Sequence, residues 1–305
     1  MSDNDKIKRV DIKVGFQCNN HCLFCVQGRK REEVAFKSLK EIKSLIEKSA
    51  KEGRREIVLT GGEPTLHPNI FEIIAFAKKN NFSNIQIQTN GRMFAYPDFC
   101  FRIIQAGATE FSPAIHGPNS QVHDYLTGSA GSFEQTLKAI KNLRKLGQRV
   151  LTNTVVTKTN YAHLPAIARL LVRLDVAQFQ FAFVHIAGEA AENKEIIVPK
   201  KLKAMPFIKK ALDIGIKAGK RVMTEAIPFC LMPGYEDCIA EKFIPESSVY
   251  DFDFTIADYN DYRKNIGKAK GRECLKCKKN NICEGPWKEY PELFGWSEFK
   301  PITIK

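Results

Sequence analysis

Six of the nine cysteines in this 305-residue chain fall in two tight groups, and these residues have the clearest capacity for chemistry. Cys18-Asn-Asn-His-Cys22-Leu-Phe-Cys25 has the spacing C-x3-C-x2-C, and Cys274-x2-Cys277-x5-Cys283 lies near the other end. Three thiolates on one short loop suit three irons of a cubane cluster and leave the fourth iron open to chelate a small molecule. Zinc would need a fourth ligand, for which His21 stands nearby. An odd cysteine count argues for metal over a disulfide framework.

Other segments add polar chemistry. Thr60-Gly61-Gly62-Glu63-Pro64 pairs two glycines, which let backbone approach a ligand closely, with Glu63 and exposed carbonyls able to accept hydrogen bonds from an ammonium group. The same letters also describe an ordinary tight turn. Asn90, in Thr89-Asn90-Gly91, and Asn153, in Thr152-Asn153-Thr154, read either as ligand contacts or as turn and strand polar residues.

The frame that positions these residues alternates strand and helix. Val10–Phe16, Glu56–Thr60, Asn84–Asn90, Thr109–His116, Arg149–Thr157 and Gln178–His185 read as six strands. Pro113 is an unusual guest in the fourth. Leu39, Ile42, Leu45, Ile46 and Ala50 share one helical face, with Ser38 and Glu41 at capping-box spacing. Further helices are expected at Ile70–Lys79, Asp98–Ala106, Ser132–Leu146 and Leu164–Leu174. Each strand followed by a helix implies parallel pairing, so the predicted fold is α/β: a partial (β/α)6 TIM-type barrel. In such folds the loops after the strands carry the chemistry, and the first cysteine group, Gly61–Pro64 and Asn90 all fall there.

After about Glu195 the composition shifts. A Lys-rich helix is expected near Lys201–Lys217 and another strand near Lys220–Ile227. Beyond it Pro228, Pro233, Pro245, Gly271 and five cysteines mark a loop-rich module that metal would hold together. The expected division is 1–195 for the barrel and 196–305 for the module.

The two motifs, in this order and after these strands, resemble the radical S-adenosylmethionine (SAM) superfamily over roughly Val10–Gly188. That resemblance implies an enzyme whose Cys18, Cys22 and Cys25 hold a [4Fe–4S] cluster that binds SAM. Reductive cleavage then gives a 5′-deoxyadenosyl radical that abstracts a substrate hydrogen. It further implies that Phe24 occupies the family's apolar position before the third cysteine. Gly61, Gly62, Glu63 and Pro64 match the segment that binds the SAM amino group, and Asn90 and Asn153 match further SAM contacts. Ala114-Ile115-His116-Gly117 departs from the family pattern: Ala114 stands where a serine contacts SAM. His116 faces substrate or is structural.

Following such a core, Cys274, Cys277 and Cys283 resemble the SPASM and twitch modules that carry auxiliary iron–sulfur clusters. The next cysteine of the SPASM pattern is Trp287 here, so one auxiliary [4Fe–4S] cluster is expected. Its fourth ligand is Cys230 or Cys238. Cys230 is favoured because Ile227-Pro228-Phe229-Cys230 fixes it at a strand end. A closed cluster relays electrons, whereas an open iron binds substrate. Cys100 is expected to be buried on its helix. Phe229, Trp287, Tyr290, Phe294 and Trp296 are expected to form the module's core rather than a substrate platform.

The expected function is radical maturation of a peptide or protein side chain, admitted through the lateral opening of a partial barrel. The alternative is radical modification of a small-molecule, nucleotide or cofactor precursor, and a remote alternative is a non-enzymatic iron–sulfur or zinc protein. A reductant such as flavodoxin or ferredoxin is the expected partner. The net charge of +13 would suit an acidic partner. Its lysines are spread over exposed helix faces, however, so nucleic acid is not favoured. No apolar run approaches the roughly 20 residues of a membrane span. Met1–Val10 is polar and lacks a signal-peptide stretch, so a cytoplasmic protein is expected.

Overall fold

The computed structural model describes residues 8–303. Most of the polar N-terminal stretch, residues 1–7, therefore lies outside the described residues. Among the described residues nine strands form one sheet: β1 (Lys8–Lys13), β2 (Glu56–Thr60), β3 (Asn84–Thr89), β4 (Glu110–Pro113), β5 (Arg149–Val156), β6 (Gln178–Phe183), β7 (Arg221–Glu225), β8 (Glu246–Tyr250) and β9 (Thr255–Ile256). Their order is β7-β6-β5-β4-β3-β2-β1-β8-β9, and only the β8–β9 pair is antiparallel. β7 and β9 remain unjoined edges, so the curved sheet is a partial barrel.

The strands explain why the barrel has a working interior. Parallel strands covered on both faces usually read as continuous apolar runs. Here they alternate. Ile85 and Ile87 of β3 are buried, whereas Gln86 and Gln88 line a cavity. Phe179 and Phe181 of β6 are buried, whereas Gln178 and Gln180 line the same cavity. The apolar set packs in the main core with helices such as Leu39–Lys51 and Leu164–Arg173. The first of these starts with the predicted capping box. Ser38 Oγ accepts from Glu41 N (3.2 Å), and the Glu41 carboxylate accepts from Ser38 N (2.8 Å), a device worth about 1 kcal/mol.

Three departures from the sequence reading matter for the site. β4 ends at Pro113, where a missing N–H costs the ladder least. Ala114 nevertheless still bridges to Asn153. Helix Ser120–Thr127, which was not expected, is capped by Asn119 through Val122 N (3.1 Å). Finally, the sheet runs past residue 195: β7 pairs with β6, and β8 pairs with β1 from Lys8↔Glu246 to Ile12↔Tyr250. Ile239 bridges to Thr224 at the β7 edge, and Ile244 and Tyr259 line the cavity. The expected lateral opening is therefore furnished with side chains of the C-terminal segment.

Candidate active site and second cysteine centre

One cavity of about 560 Å³ collects seven of the fourteen predicted site residues: Cys18, Cys22, Cys25, Gly61, Gly62, Asn90 and Asn153. It also reaches His116 from the loop after β4, Glu225 from the end of β7 and Tyr259 from the start of helix Tyr259–Tyr262. Phe24, Glu63 and Pro64 lie behind its wall, all buried.

The cysteine loop is shaped by its neighbours. The unexpected helix Ser120–Thr127 offers its last carbonyls to it: His21 N donates to Thr127 O (2.8 Å) and Leu23 N to Leu126 O (3.0 Å). Glu189 N donates to Cys25 O (2.9 Å) from beyond β6. Arg92 donates to Asn19 O and to Asn20 Oδ1 (3.1 Å), and its Nε donates to Gln135 Oε1 (2.6 Å). Arg31 donates to Asn20 O (3.2 Å) and to Glu189 Oε1 (3.2 Å). Neither arginine was foreseen. A charged residue directly after Thr89-Asn90-Gly91, and one six residues past Cys25, are the signals that could have found them.

The two glycines serve close backbone approach. A Cβ on Gly61 would lie 2.1 Å from Gly15 O, and one on Gly62 would lie 2.1 Å from Phe16 O. Gly62 N donates to Gly15 O (2.9 Å) and Glu63 N to Gln17 O (2.9 Å). The glycines thus press their loop against the cysteine loop while still lining the cavity. Glu63 faces inward: its carboxylate accepts from Thr65 N (3.1 Å), Thr65 Oγ1, Thr89 Oγ1 (2.8 Å) and Asn90 N (2.6 Å). Burial raises its pKa, and these donors pull it back. In this arrangement Glu63 ties the β2 and β3 loops together, and the partly exposed Gly61 and Gly62 line the cavity.

Asn90 stands beside the first cysteine. Its Nδ2 lies 3.8 Å from Cys18 Sγ and donates to Asn19 Oδ1 (2.6 Å). Asn153 Oδ1 is buried without a partner, an acceptor free for a ligand's donor. Burial pushes the Cys18 thiol up to about 11 and raises Cys22 further. Burial thus favours the protonated form of these two thiols, and a metal binding them would displace the protons. Soft donors on one loop, an unused acceptor and an apposed glycine backbone together fit a cluster with a small polar ligand.

His116 is buried and neutral, its pKa lowered by burial and by His123. Its Nδ1 accepts from Val155 N (3.2 Å), which leaves the proton on Nε2. Its ring packs edge-on against Phe24 (4.6 Å) and stacks on His123. It lines the cavity and also braces the wall. Cys100 is buried in helix Pro97–Ala106, with its thiol 3.1 Å from Phe94 O.

The second group converges as well. Cys230, Cys274, Cys277 and Cys283 line one small pocket with Phe229, Trp296 and Phe299. Cys238 is buried elsewhere, and its carbonyl accepts from Thr224 Oγ1 (3.3 Å). Burial and the three neighbouring thiols push Cys230 up to about 12. The four thiols share one apolar pocket with these rings. The aromatics behave as core: Trp287 stacks on His185 (4.2 Å), and Tyr290 packs on Phe294 (5.0 Å). Directly after Cys283, buried Glu284 takes a two-pronged bond from Arg263 (3.0 and 2.9 Å) and one from Lys268 (2.8 Å). Lys268 also reaches Glu241 (2.6 Å).

Comparison with known proteins points the same way. The AdoMet-dependent heme synthase of Methanosarcina barkeri is 30% identical over 181 residues, 59% of this chain and 51% of that protein. Mycofactocin maturase MftC of Mycobacterium tuberculosis is 23% identical over 257 residues, 80% of this chain and 64% of that protein. The chain spans about half the length of the heme synthases it matches. Streptococcus suis SuiB bound to precursor peptide SuiA shares the fold, with a TM-score of 0.69 at 16% identity over 97% of this chain and 74% of that one. No helix among the described residues is long and apolar enough to cross a membrane. The radical SAM superfamily model matches residues 12–171, more than half of the chain, and that span holds all three cysteines of the first group and both loops apposed to it: the chain belongs to the radical SAM superfamily.

Proposed function

We propose that this chain is a radical SAM maturase acting on a peptide or protein side chain. The carrying observation is the single cavity lined at once by Cys18, Cys22, Cys25, Gly61, Gly62, Asn90 and Asn153. A [4Fe–4S] cluster on those three thiols, with SAM, supplies reductive cleavage and a 5′-deoxyadenosyl radical that takes a hydrogen atom from substrate. The chain's residues bind and orient. Gly61 and Gly62 present backbone to the SAM amino group, Asn153 Oδ1 accepts from SAM, and Asn90 steadies the loop of Cys18. The Phe24–His116 wall keeps water from the reacting centre. A second [4Fe–4S] cluster sits on Cys230, Cys274, Cys277 and Cys283. Residues 1–195 then carry the SAM chemistry and 196–305 the second centre, lending β7 and β8 to the barrel wall.

The peptide substrate is supported by two matches. SuiB, bound to a precursor peptide, is alike over nearly the whole chain, and likeness to the maturase runs over 80% of it against 59% for the heme synthase. A small-molecule substrate is the second reading, favoured by the higher identity to the heme synthase. The test uses a perdeuterated extract of the source organism, split by size and offered to the reconstituted enzyme with SAM and dithionite. Deuterium in 5′-deoxyadenosine should come from the larger, protease-sensitive fraction. Label arising only from the small-molecule fraction would overturn the peptide reading in favour of the second.

A further inference from the structure

The loop that carries three thiols of the second centre is also a surface of unusual character. Between residues 270 and 283, Lys270, Arg272, Lys276 and Lys278 are exposed against one exposed acid, Glu273. Among them stand two bare apolar side chains, Leu275 at 77% and Ile282 at 57% exposure. Leu275 directly follows Cys274, and Ile282 directly precedes Cys283. A core explains neither, and a purely solvated face would not place them beside the thiols. Apolar contacts inside a basic ring are the composition of a transient docking site for an acidic protein.

The approach to the first centre is already taken up. Its thiols line the recessed cavity that SAM and substrate must share. The second group lies under a loop of 3-10 helix and turns, its three cysteines partly exposed like those of the first group.

The geometry points to residues 270–283 as the docking face for a small acidic one-electron carrier of the flavodoxin or ferredoxin class. One electron leaves the carrier's centre, which is oxidised, and enters the four-thiolate centre, which is reduced; no proton or group moves. Leu275 and Ile282 supply the contact, and Lys276 and Lys278 supply steering and register. This inference rests on the reading that Cys230, Cys274, Cys277 and Cys283 hold a cluster.

The experiment uses the anaerobically reconstituted chain and oxidised bacterial flavodoxin, with affinity read by titration calorimetry at low and high salt. The Lys276→Glu/Lys278→Glu variant should weaken binding about tenfold or more at low salt, with the difference shrinking at high salt. Leu275→Ser should weaken it several-fold at both, and iron content should stay at the wild-type value. Arg29→Glu, on the exposed rim of the first group beside Val26 (45% exposed), should leave affinity unchanged. Loss of binding in Arg29→Glu with none in the other two variants would overturn the proposal, as would absence of any wild-type binding to flavodoxin and ferredoxin alike. A wild-type iron content of about four per chain would instead overturn the cluster reading itself.

Discussion

Around Cys18, Cys22 and Cys25 the neighbours are backbone groups, neutral amides and two arginines, drawn from the loops after four different strands. Around Cys230, Cys274, Cys277 and Cys283 they are aromatic rings, with a buried ion network beginning at the next residue, Glu284. The first arrangement spreads its support over many hydrogen bonds of about 1 kcal/mol each and leaves a polar cavity. The second concentrates its support on a few anchors and leaves no room for a ligand of that size. The first design leaves room for a small polar ligand beside its thiols, and the second does not.

The largest test of this contrast is at the cysteines. Cys230→Ala should lose the second cluster, about half of roughly eight irons, and destabilise the module that the metal ties together. Cys238→Ala should keep all of them. Replacing Cys18, Cys22 and Cys25 together should remove the other half while leaving thermal unfolding of the module intact. Iron analysis and calorimetry read both, and equal loss from the Cys230 and Cys238 variants would erase the distinction.

A smaller effect separates the two kinds of support without touching a thiol. Glu284→Gln leaves Arg263 and Lys268 buried with too little counter-charge, a cost of about 3–5 kcal/mol. Glu63→Gln, which turns an amide NH2 toward donors in the first network, should cost about 1–3 kcal/mol. Denaturant unfolding of the two variants measures the gap, and a larger loss from Glu63→Gln would reverse the comparison.

A further effect of similar size depends on acid and belongs to the first region. Burial holds His123 down to about 4 from an ordinary value near 6.5. Its Nδ1 accepts from His116 N (3.0 Å) behind the cavity wall. Between those values the unfolded chain binds the extra proton, so stability present above pH 6.5 is lost as pH falls. The loss approaches about 3 kcal/mol near pH 4. His123→Gln should flatten that slope in pH-dependent unfolding. An unchanged slope would show that His123 does not govern acid sensitivity.

Much of this was legible in the sequence because local rules and global fold agree. The alternation of Asn84-Ile85-Gln86-Ile87-Gln88 gave both a strand and its polar face, and Ser38 with Glu41 gave a helix start. Placing the cysteine loop, Gly61–Pro64 and Asn90 after successive strands was enough to bring them to one rim. What escaped was set by distant partners. Glu246-Ser-Ser-Val-Tyr250 has no clear alternation and is a strand because β1 offers it an edge. Helix Ser120–Thr127 is short and mostly polar, and is fixed by Asn119 and by its contact with the cysteine loop. The inward turn of Glu63 depends on Thr65, Thr89 and the Asn90 amide meeting in space, which spacing along the chain does not encode.

The pairing of β8 with β1 sets an order for synthesis at the ribosome. Lys8 waits for Glu246, so the strand that leads into the first cysteine loop emerges early and keeps one bare edge until almost the whole barrel has been made. An unpaired edge of that kind invites association with other nascent chains. The wall is complete once Tyr250 is free of the tunnel, while Cys274, Cys277 and Cys283 follow later. The first cysteine compartment can therefore be walled in before Cys274, Cys277 and Cys283 have emerged.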